Sequence, residues 1–567
     1  MEKRWHVEPP ITPEADRNLA AFHPVLRQLL FNRGYPTAAE AVAFLGGNVD
    51  FDTDPFQFGG MGLAVDRIRS GVQHGEIIAV YGDYDVDGVT ATALLVQALT
   101  AMHANVLPYI PNRFDEGYGL NIEALDALKA QRVGLVITVD CGIRSPREVA
   151  HARDIGLDVI VSDHHHPAEG DLPPALAIIN PKVTGDPYPD KHLAGVGIAY
   201  KLAEALMSAK DSPDSLRTLL DLVALGTVAD LAPLIGENRA FVRSGLEVLR
   251  QTGRQGLYSL AQVAGMQINK TTAGQIGFVL GPRLNAAGRL KSAQASLELL
   301  TTTDPSRAGL LAQELEANNQ ERQAVTRETQ IKAEALALAG EKDPALLFAA
   351  HADFNAGVVG LAASRLVEAY YRPAIVAAIG DAETRASCRS IPEFHITDAL
   401  DKCSELLVRH GGHAAAAGFT VRNENLPELV SRLKTLATSQ LGAQDLRPTL
   451  SADMELPLST LSFDLLNQLA ALEPTGYGNR EAVFISRQAK VRGARLVGAD
   501  GRHLKLTLQD ERGVTTDAIG FRLGHLYPDL PSRVDLAYTL EANLYNGRST
   551  LQLNLKDIRV TKDGTGA

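Results

Sequence analysis

The chain has 567 residues, 45% hydrophobic and 22% charged, with 55 Lys+Arg against 67 Asp+Glu and a net charge of −12. At roughly 150 residues per domain the length predicts three or four domains, and the composition excludes disordered, collagen-like and low-complexity classes. Taken alone, the acidic balance argues against a protein that coats nucleic acid and for a solvated enzyme. Cys141, Cys388 and Cys403 have no CxxC spacing, which argues against a disulfide framework and for a reducing compartment. No apolar run approaches the roughly 18 residues of a membrane span, so a cytoplasmic protein that avoids membranes is expected.

Residues 1–70 mix Pro-rich turns with short helical patterns and read as an N-terminal helical cap on something larger. From Glu76 the pattern changes. EIIAVYGDYD, NVLPYIP, GLVITVDCG, DVIVSDHH and ALAIINP are short β-branched runs separated by helical patterns, the signature of a parallel sheet covered on both faces. A helical stretch from His192 to about Leu300 follows, broken at GTVADLAPL and VLGPRLNAAGRL, and completes a unit spanning 71–300. Charged helical periodicity from Asp304 to Ala339 predicts a long helix within a 301–344 connector. A second α/β unit is expected over 345–448. Alternating segments with Gly and Asp-Gly turns over 449–567 predict a small antiparallel barrel.

The acids fall in a telling pattern. Asp83, Asp85 and Asp87 follow the strand IIAVY, Asp140 ends VITVD, and Asp163-His164-His165-His166 ends VIVSD; all sit at carboxyl ends of parallel strands, where open α/β sheets place their ligands. Asp230 in GTVADLAPL can join them from the helical segment. Two carboxylates 4 Å apart repel by about 4 kcal/mol at an effective dielectric near 20, so the cluster calls for cations. Carboxylates mixed with imidazole favour Mn²⁺ or Mg²⁺ over thiolate-type zinc, and a pair of such ions activates water against a phosphoryl group. A Ca²⁺ loop of the EF-hand kind is the plain alternative for DYDVDG, but it needs a preceding helix and a Glu where Leu94 stands.

At these residues the sequence resembles the DHH phosphoesterase superfamily, named for the motif Asp163-His164-His165, and within it the RecJ group of single-stranded-DNA exonucleases. The motifs AVYGDYDVDGVTATALL, PNRFDEGYGLN, VSDHHHP, GPRLNAAGRL, SCRS, GGHAAAAGF and EPTGYGN carry the likeness over residues 76–480. The resemblance implies a parallel-sheet DHH domain, a long connecting helix, a DHH-associated α/β domain and a C-terminal OB-like barrel. It implies metal ligands Asp83, Asp85, Asp87, Asp140, His164 and Asp230 for two divalent cations, with Asp163 and His165 orienting or polarising. Substrate contacts would come from Arg113, Arg283, Asn285, Arg289, Ser387, Arg389 and His413, with Arg113, Ser387 and Arg389 gripping the 5′-phosphate, as arginine's planar fork suits. His166 is the weaker histidine. One departure is Phe354-Asn355-Ala356-Gly357-Val358, where the family often carries Trp-His; Asn cannot titrate near neutrality, which puts an acid–base role there in doubt.

Between Ile485 and Leu506 lie Arg487, Lys490, Arg492, Arg495, Arg502 and Lys505 against one acid, Asp500, which predicts a basic groove for single strands. The expectation is therefore a metal-dependent 5′→3′ exonuclease acting on single-stranded DNA in repair and recombination, with a helicase and a single-strand-binding protein as partners. Alternatives are a small-substrate phosphoesterase for very short RNA or cyclic dinucleotides, and an inactive replisome scaffold. The barrel speaks against the first and the intact acids against the second.

Overall fold

The computed structural model describes residues 2–46, 53–112, 116, 119–168, 170–207, 216–290, 292–340, 343–545 and 547–561. The chain opens with strand β1 (Arg4–Val7), followed by helices over Pro24–Asn32 and Ala38–Gly46. Strands β2 (Ile77–Gly82), β3 (Asn105–Tyr109), β4 (Val133–Val139), β5 (Asp158–Ser162) and β6 (Ala177–Ile179) then form an all-parallel sheet in the order β3-β2-β4-β5-β6. Most residues of β2, β4 and β5 are buried because both faces of the sheet are covered, which is why these strands read as continuous apolar runs. The chain leaves β2 for β3 on one side and crosses to β4 on the other. That reversal opens a crevice at the carboxyl ends of β2 and β4.

Helix α1 (Val86–Ala101) leaves β2 and is buried along most of its length against α2 (Gly195–Leu206) and α3 (Leu220–Ala229). Helix α4 (Gly236–Arg250) packs on α3, and α5 (Gly281–Leu290) carries the Gly-rich GPRLNAAGRL. The long helix expected between Asp304 and Ala339 is α6 (Pro305–Leu338). The Asp304 carboxylate accepts from Ser306 N at 2.9 Å and Pro305 opens the first turn, so cap and proline mark its start. Its 34 residues reach about 51 Å, from the helices of the first unit, α5 among them, to a second sheet.

That second sheet comprises β7 (Leu347–His351), β8 (Ala374–Ile379), β9 (Glu383–Arg389), β10 (Leu407–His413) and β11 (Ala416–Arg422) in the order β10-β11-β9-β8-β7. One face packs on α6 and α7 (Val359–Tyr370), the other on the helix Leu426–Leu441. After β12 (Thr449–Ala452) and β13 (Met454–Glu455), strands β14 (Phe484–Val497), β15 (His503–Gln509), β16 (Thr515–Gly520), β17 (Arg533–Tyr545) and β18 (Arg548–Val560) close a five-strand barrel, with β17 returning to β14. Strict burial alternation along β15 shows the inside–outside period of such a wall.

The first 70 residues divide rather than forming one cap. Strand β1 pairs in parallel with β12, and Leu26, Leu29, Leu30 and Phe44 share a core with Phe484, Leu506, Leu536 and Tyr538 of the barrel. Phe58, Met61, Val65 and Ile68 join the parallel-sheet core instead. Amphipathic periodicity says that a short helix must pack, and leaves its partner open. Cys141, Cys388 and Cys403 are buried free thiols, and no helix among the described residues is long and apolar enough to cross a membrane.

Candidate metal centre and substrate cleft

The crevice at the sheet switch point collects the acids. Asp83 follows β2 directly and is buried. Asp85 caps α1, its Oδ1 accepting from Asp87 N at 2.9 Å and Gly88 N at 3.1 Å. Asp87, in the first turn, is held by the start of α2: its Oδ2 accepts from Gly195 N at 2.7 Å and its Oδ1 from Val196 N at 2.9 Å. Asp140 directly follows β4 at φ 63°, a left-handed conformation uncommon for a residue with a side chain. Asp230 is the C-cap of α3.

Three of these side chains converge on His164. Its Nε2 lies 3.0 Å from Asp140 Oδ1, 3.8 Å from Asp230 Oδ2 and 3.9 Å from Asp87 Oδ2. Two ligands each about 2.1 Å from one cation lie at most about 4.2 Å apart, so all three separations are within the reach of a shared ion. Asp140 Oδ1 and His164 Nε2 are buried and make no hydrogen bond, as expected of atoms aimed at a third body between them. Three overlapping groups have ligand atoms within 4.8 Å of one another: Asp87 with His164 and Asp230, Asp83 with Asp85 and Asp140, and Asp140 with His164 and His165. The donors are carboxylate oxygens and imidazole, without a thiolate, so the residues fit Mn²⁺ or Mg²⁺.

Electrostatics says the same. Burial and then the Asp85 charge push Asp87 up to about 7, burial and then Asp87 push Asp230 up to about 9, and Asp140 is raised well above the carboxylate range by burial and then Asp87. Burial and then His165 push His164 down to about 3, keeping it neutral and able to ligate. Asp163 is different. Burial would raise it, but it stays below its ordinary value because His165 Nδ1 lies 2.8 Å from its Oδ1 and the His165 backbone N–H donates to the same oxygen. Its Oδ2 accepts from Ile143 N, so Asp163 faces His165 and the loop, while His164 faces the acids.

Two glycines that sequence reasoning passes over make the cluster fit. A Cβ on Gly195 would sit 2.7 Å from Asp140 Cβ, and one on Gly226 would sit 2.3 Å from Thr90 Oγ1 and 2.8 Å from Asp87 Oδ1. Lys182 in INPK escapes it too. It stands where the charges of Asp230 and Asp163 reach it, although burial still holds it below its ordinary value. The exposed His166 is depressed by burial, then by Lys182 and then by His413, whose charge arrives from the second α/β unit.

The expected substrate contacts are dispersed. Arg113 lies outside the described residues; Glu116 accepts from Tyr109 Oη at 2.6 Å and Asn112 N at 2.7 Å. Arg283 is committed to Glu316 of α6 at 2.5 Å and to Val279 O. Asn285 is half-buried on α5, and Arg289 donates to Gly357 O at 3.4 Å. A Cβ on Gly288 would lie 2.7 Å from Tyr84 O and one on Gly357 would lie 2.2 Å from Arg289 O, so α5 is wedged between the acidic loop and the second unit. Ser387 and Arg389 are neighbours on β9, linked by Arg389 Nη1 donating to Ser387 Oγ at 3.1 Å, and both face Gly360 of α7. His413 is exposed at the end of β10. Asn355 Oδ1 accepts from Gly357 N at 2.7 Å, a turn-capping contact.

The basic stretch on β14 and β15 is partly neutralised. Arg487 pairs with Glu455 and Asp535, Arg502 with Asp500, and Lys505 with Asp517. Arg492 bonds to the neutral Gln509, and Lys490 and Arg495 have no ion pair among the described residues. The concentrated positive charge lies elsewhere, in a cavity of about 840 Å³ where α5, α6, α7 and the barrel meet. Arg322, Arg327, Arg365, Arg502 and Arg522 line it with Glu368 and the exposed ring of Phe278. Only Arg502 belongs to the basic run read from sequence; Arg322, Arg327, Arg365 and Arg522 come from other stretches, so no local run announces the cluster.

Residues 77–227 match the DHH family, N-terminal domain; residues 343–439 match the DHHA1 domain; and residues 452–557 match the RecJ OB domain. The chain is 38% identical to the single-stranded-DNA-specific exonuclease RecJ of Bacillus subtilis over 99% of its own length and 71% of that protein. It is 36% identical to the Escherichia coli exonuclease of the same name over 95% of this chain and 96% of that one. Crystal structures of RecJ from Thermus thermophilus with Mn²⁺ and with Mg²⁺ superpose with TM-scores of 0.84 and 0.78 at 31% and 29% identity. They cover 99% of this chain and 80% and 79% of those chains. Matching domains in the same order, identity over nearly the whole length and a shared fold together establish that this chain belongs to the RecJ family of DHH proteins.

Proposed function

We propose that the protein is a Mn²⁺- or Mg²⁺-dependent exonuclease that degrades single-stranded DNA from its 5′ end to 5′-mononucleotides in DNA repair and recombination. The observation that carries this reading is the convergence of Asp87, Asp140, His164 and Asp230 beside Asp83 and Asp85. Asp83, Asp85, Asp87, Asp140, His164 and Asp230 would hold two divalent cations, which supply Lewis-acid activation of water and of the phosphoryl group. The chain's own residues do the rest. Burial would lower the His165 imidazole, but Asp163 fixes the ring by the 2.8 Å contact and holds it above its ordinary value. Ser387 and Arg389 receive the terminal phosphate, and with Arg113 they set the 5′ polarity. Beyond them, the cavity lined by five arginines takes the following strand by its phosphates, with Phe278 available for base stacking.

Each of the five proposed segments has a part in this reading: 1–70 supports the barrel and sheet, 71–300 carries the metals, 301–344 spaces the units, 345–448 binds the end and 449–567 guides the strand. A helicase would supply the free 5′ strand and a single-strand-binding protein would present it, both in the cytoplasm where chromosomal DNA is repaired.

Digestion of single-stranded and duplex DNA labelled at either end, with Mn²⁺, Mg²⁺ or EDTA, tests the proposal. Expected are early release of 5′ label from single strands only and no activity with EDTA. Release beginning at the 3′ end, or indifference to EDTA, refutes it.

A further inference from the structure

Of the buried polar residues on the helix after Asp230, Asn238 and Arg239 make contacts that the chemistry does not use. Asn238 of α4 is fully buried; its Nδ2 donates to His192 O at 2.6 Å and Pro233 O at 3.2 Å, and its Oδ1 accepts from Ala194 N at 3.3 Å. Pro233 belongs to the loop leaving Asp230, and residues 192–194 lead into the α2 amides that hold Asp87. One carboxamide therefore ties together the supports of both acids.

The neighbouring Arg239 is 5% exposed and points the other way. Its Nη1 donates to Leu472 O at 2.9 Å and Pro474 O at 3.1 Å, its Nη2 to Glu473 O at 2.9 Å and Ala471 O at 3.3 Å, and its Nε to Phe44 O at 3.1 Å. The guanidinium also lies 4.0 Å over the Phe44 ring. A buried cation spending its donors on backbone carbonyls, with no carboxylate partner among the described residues, is a costly way to fill space. What it achieves is orientation, because five carbonyls are fixed around one planar fork.

The clamped segment completes the link. Asn479 Nδ2 donates to Leu472 O and Pro474 O, both at 2.8 Å, closing 472–479 into a compact loop, and Leu234 N donates to Tyr477 O at 2.7 Å. Gly478, at φ 76°, approaches so closely that a Cβ would lie 2.9 Å from Pro233 Cβ. The segment leading into the barrel is thus the seat of the loop that leaves Asp230.

We propose that Asn238 and Arg239 are positioning residues through which the 471–479 segment, and with it the seating of the barrel, sets the placement of Asp87 and Asp230. The inference rests on the reading of those two acids as metal ligands, so its test includes a control on that reading.

Mn²⁺ binding is measured by calorimetry on the full-length protein for wild type, Asp230→Asn, Asn238→Ala, Arg239→Met and Gly478→Ala, alongside melting curves and the metal dependence of single-strand digestion. Gly478 is exposed, so its variant presses on Pro233 without opening a core. Expected is a loss of Mn²⁺ affinity of about tenfold in the three positioning variants, within the range for disturbed ligand supports. The half-maximal metal concentration should rise in step while the rate at saturating metal falls little. If Arg239→Met fails to fold, the other two variants decide. Unchanged Mn²⁺ affinity in all folded positioning variants, with Asp230→Asn weakened, overturns the proposal. Unchanged affinity in Asp230→Asn itself overturns the metal reading beneath it.

Discussion

At the scale of single residues, Asp140 and Gly195 form a close pair in which the acid depends on the glycine. Asp140 is buried, strained at φ 63° and aimed at His164, so Asp140→Ala should reduce hydrolysis by more than about 100-fold, beyond the usual cost of disturbing a ligand's support, while strand binding persists. Gel-shift and digestion assays on one preparation check both halves. Gly195→Ala is predicted to cost about ten- to 100-fold in metal affinity, because its Cβ would press on Asp140 Cβ and Oδ1 at 2.7 and 2.9 Å, neither a yielding side-chain end. Calorimetric Mn²⁺ titration of the folded variant decides it. Asp83, Asp140, Asp163 and Asp230 are legible from sequence because each sits at or just past the end of an apolar strand or helix. Gly195 is not, since its importance lies in the side chain of Asp140, which approaches it from a distant part of the chain.

At the scale of elements, α6 shows how a correctly drawn helix can still carry an unforeseen contact. Its limits follow from Asp304, Pro305 and unbroken periodicity, yet nothing in that pattern says that Glu316 meets Arg283. The pair is mostly buried, with 14% and 19% of the two side chains exposed, so Glu316→Leu strands a guanidinium rather than freeing a phosphate hook. A loss of about 2 kcal/mol is expected, discounted from the fully buried case for residual solvent, and urea denaturation followed by circular dichroism measures it. Sequence reading makes Arg283 a substrate contact because it lies in GPRLNAAGRL, a motif shared with the family, and because arginine's fork suits phosphate. In the folded chain Gly288 of that stretch admits the backbone of Tyr84 instead.

At the scale of the whole molecule, the question opened by a net charge of −12 turns on where the charges stand. Acids gather at the carboxyl ends of one sheet, and five arginines from α6, α7 and the barrel gather around one cavity. Arg327→Glu combined with Arg365→Glu should weaken binding of long single strands far more than hydrolysis of very short ones. The slope of log affinity against log salt should also fall by about 0.7 for each phosphate that the variant no longer neutralises. Equal losses on long and short substrates would assign these arginines to stability.

Sequence alone determined the order of the units, the strand-end acids, the long helix and the alternating barrel strands, because each is written in local periodicity and in residues adjacent along the chain. Tertiary structure alone decided that residues 19–44 complete the barrel core, that Arg283 and Arg487 are spent on carboxylates, and that Asn238 and Arg239 join the barrel's lead-in segment to Asp87 and Asp230. The physical reason is range. Hydrophobic period and turn chemistry act over a few residues, whereas a buried hydrogen bond or ion pair is defined by a partner that the fold must first bring near.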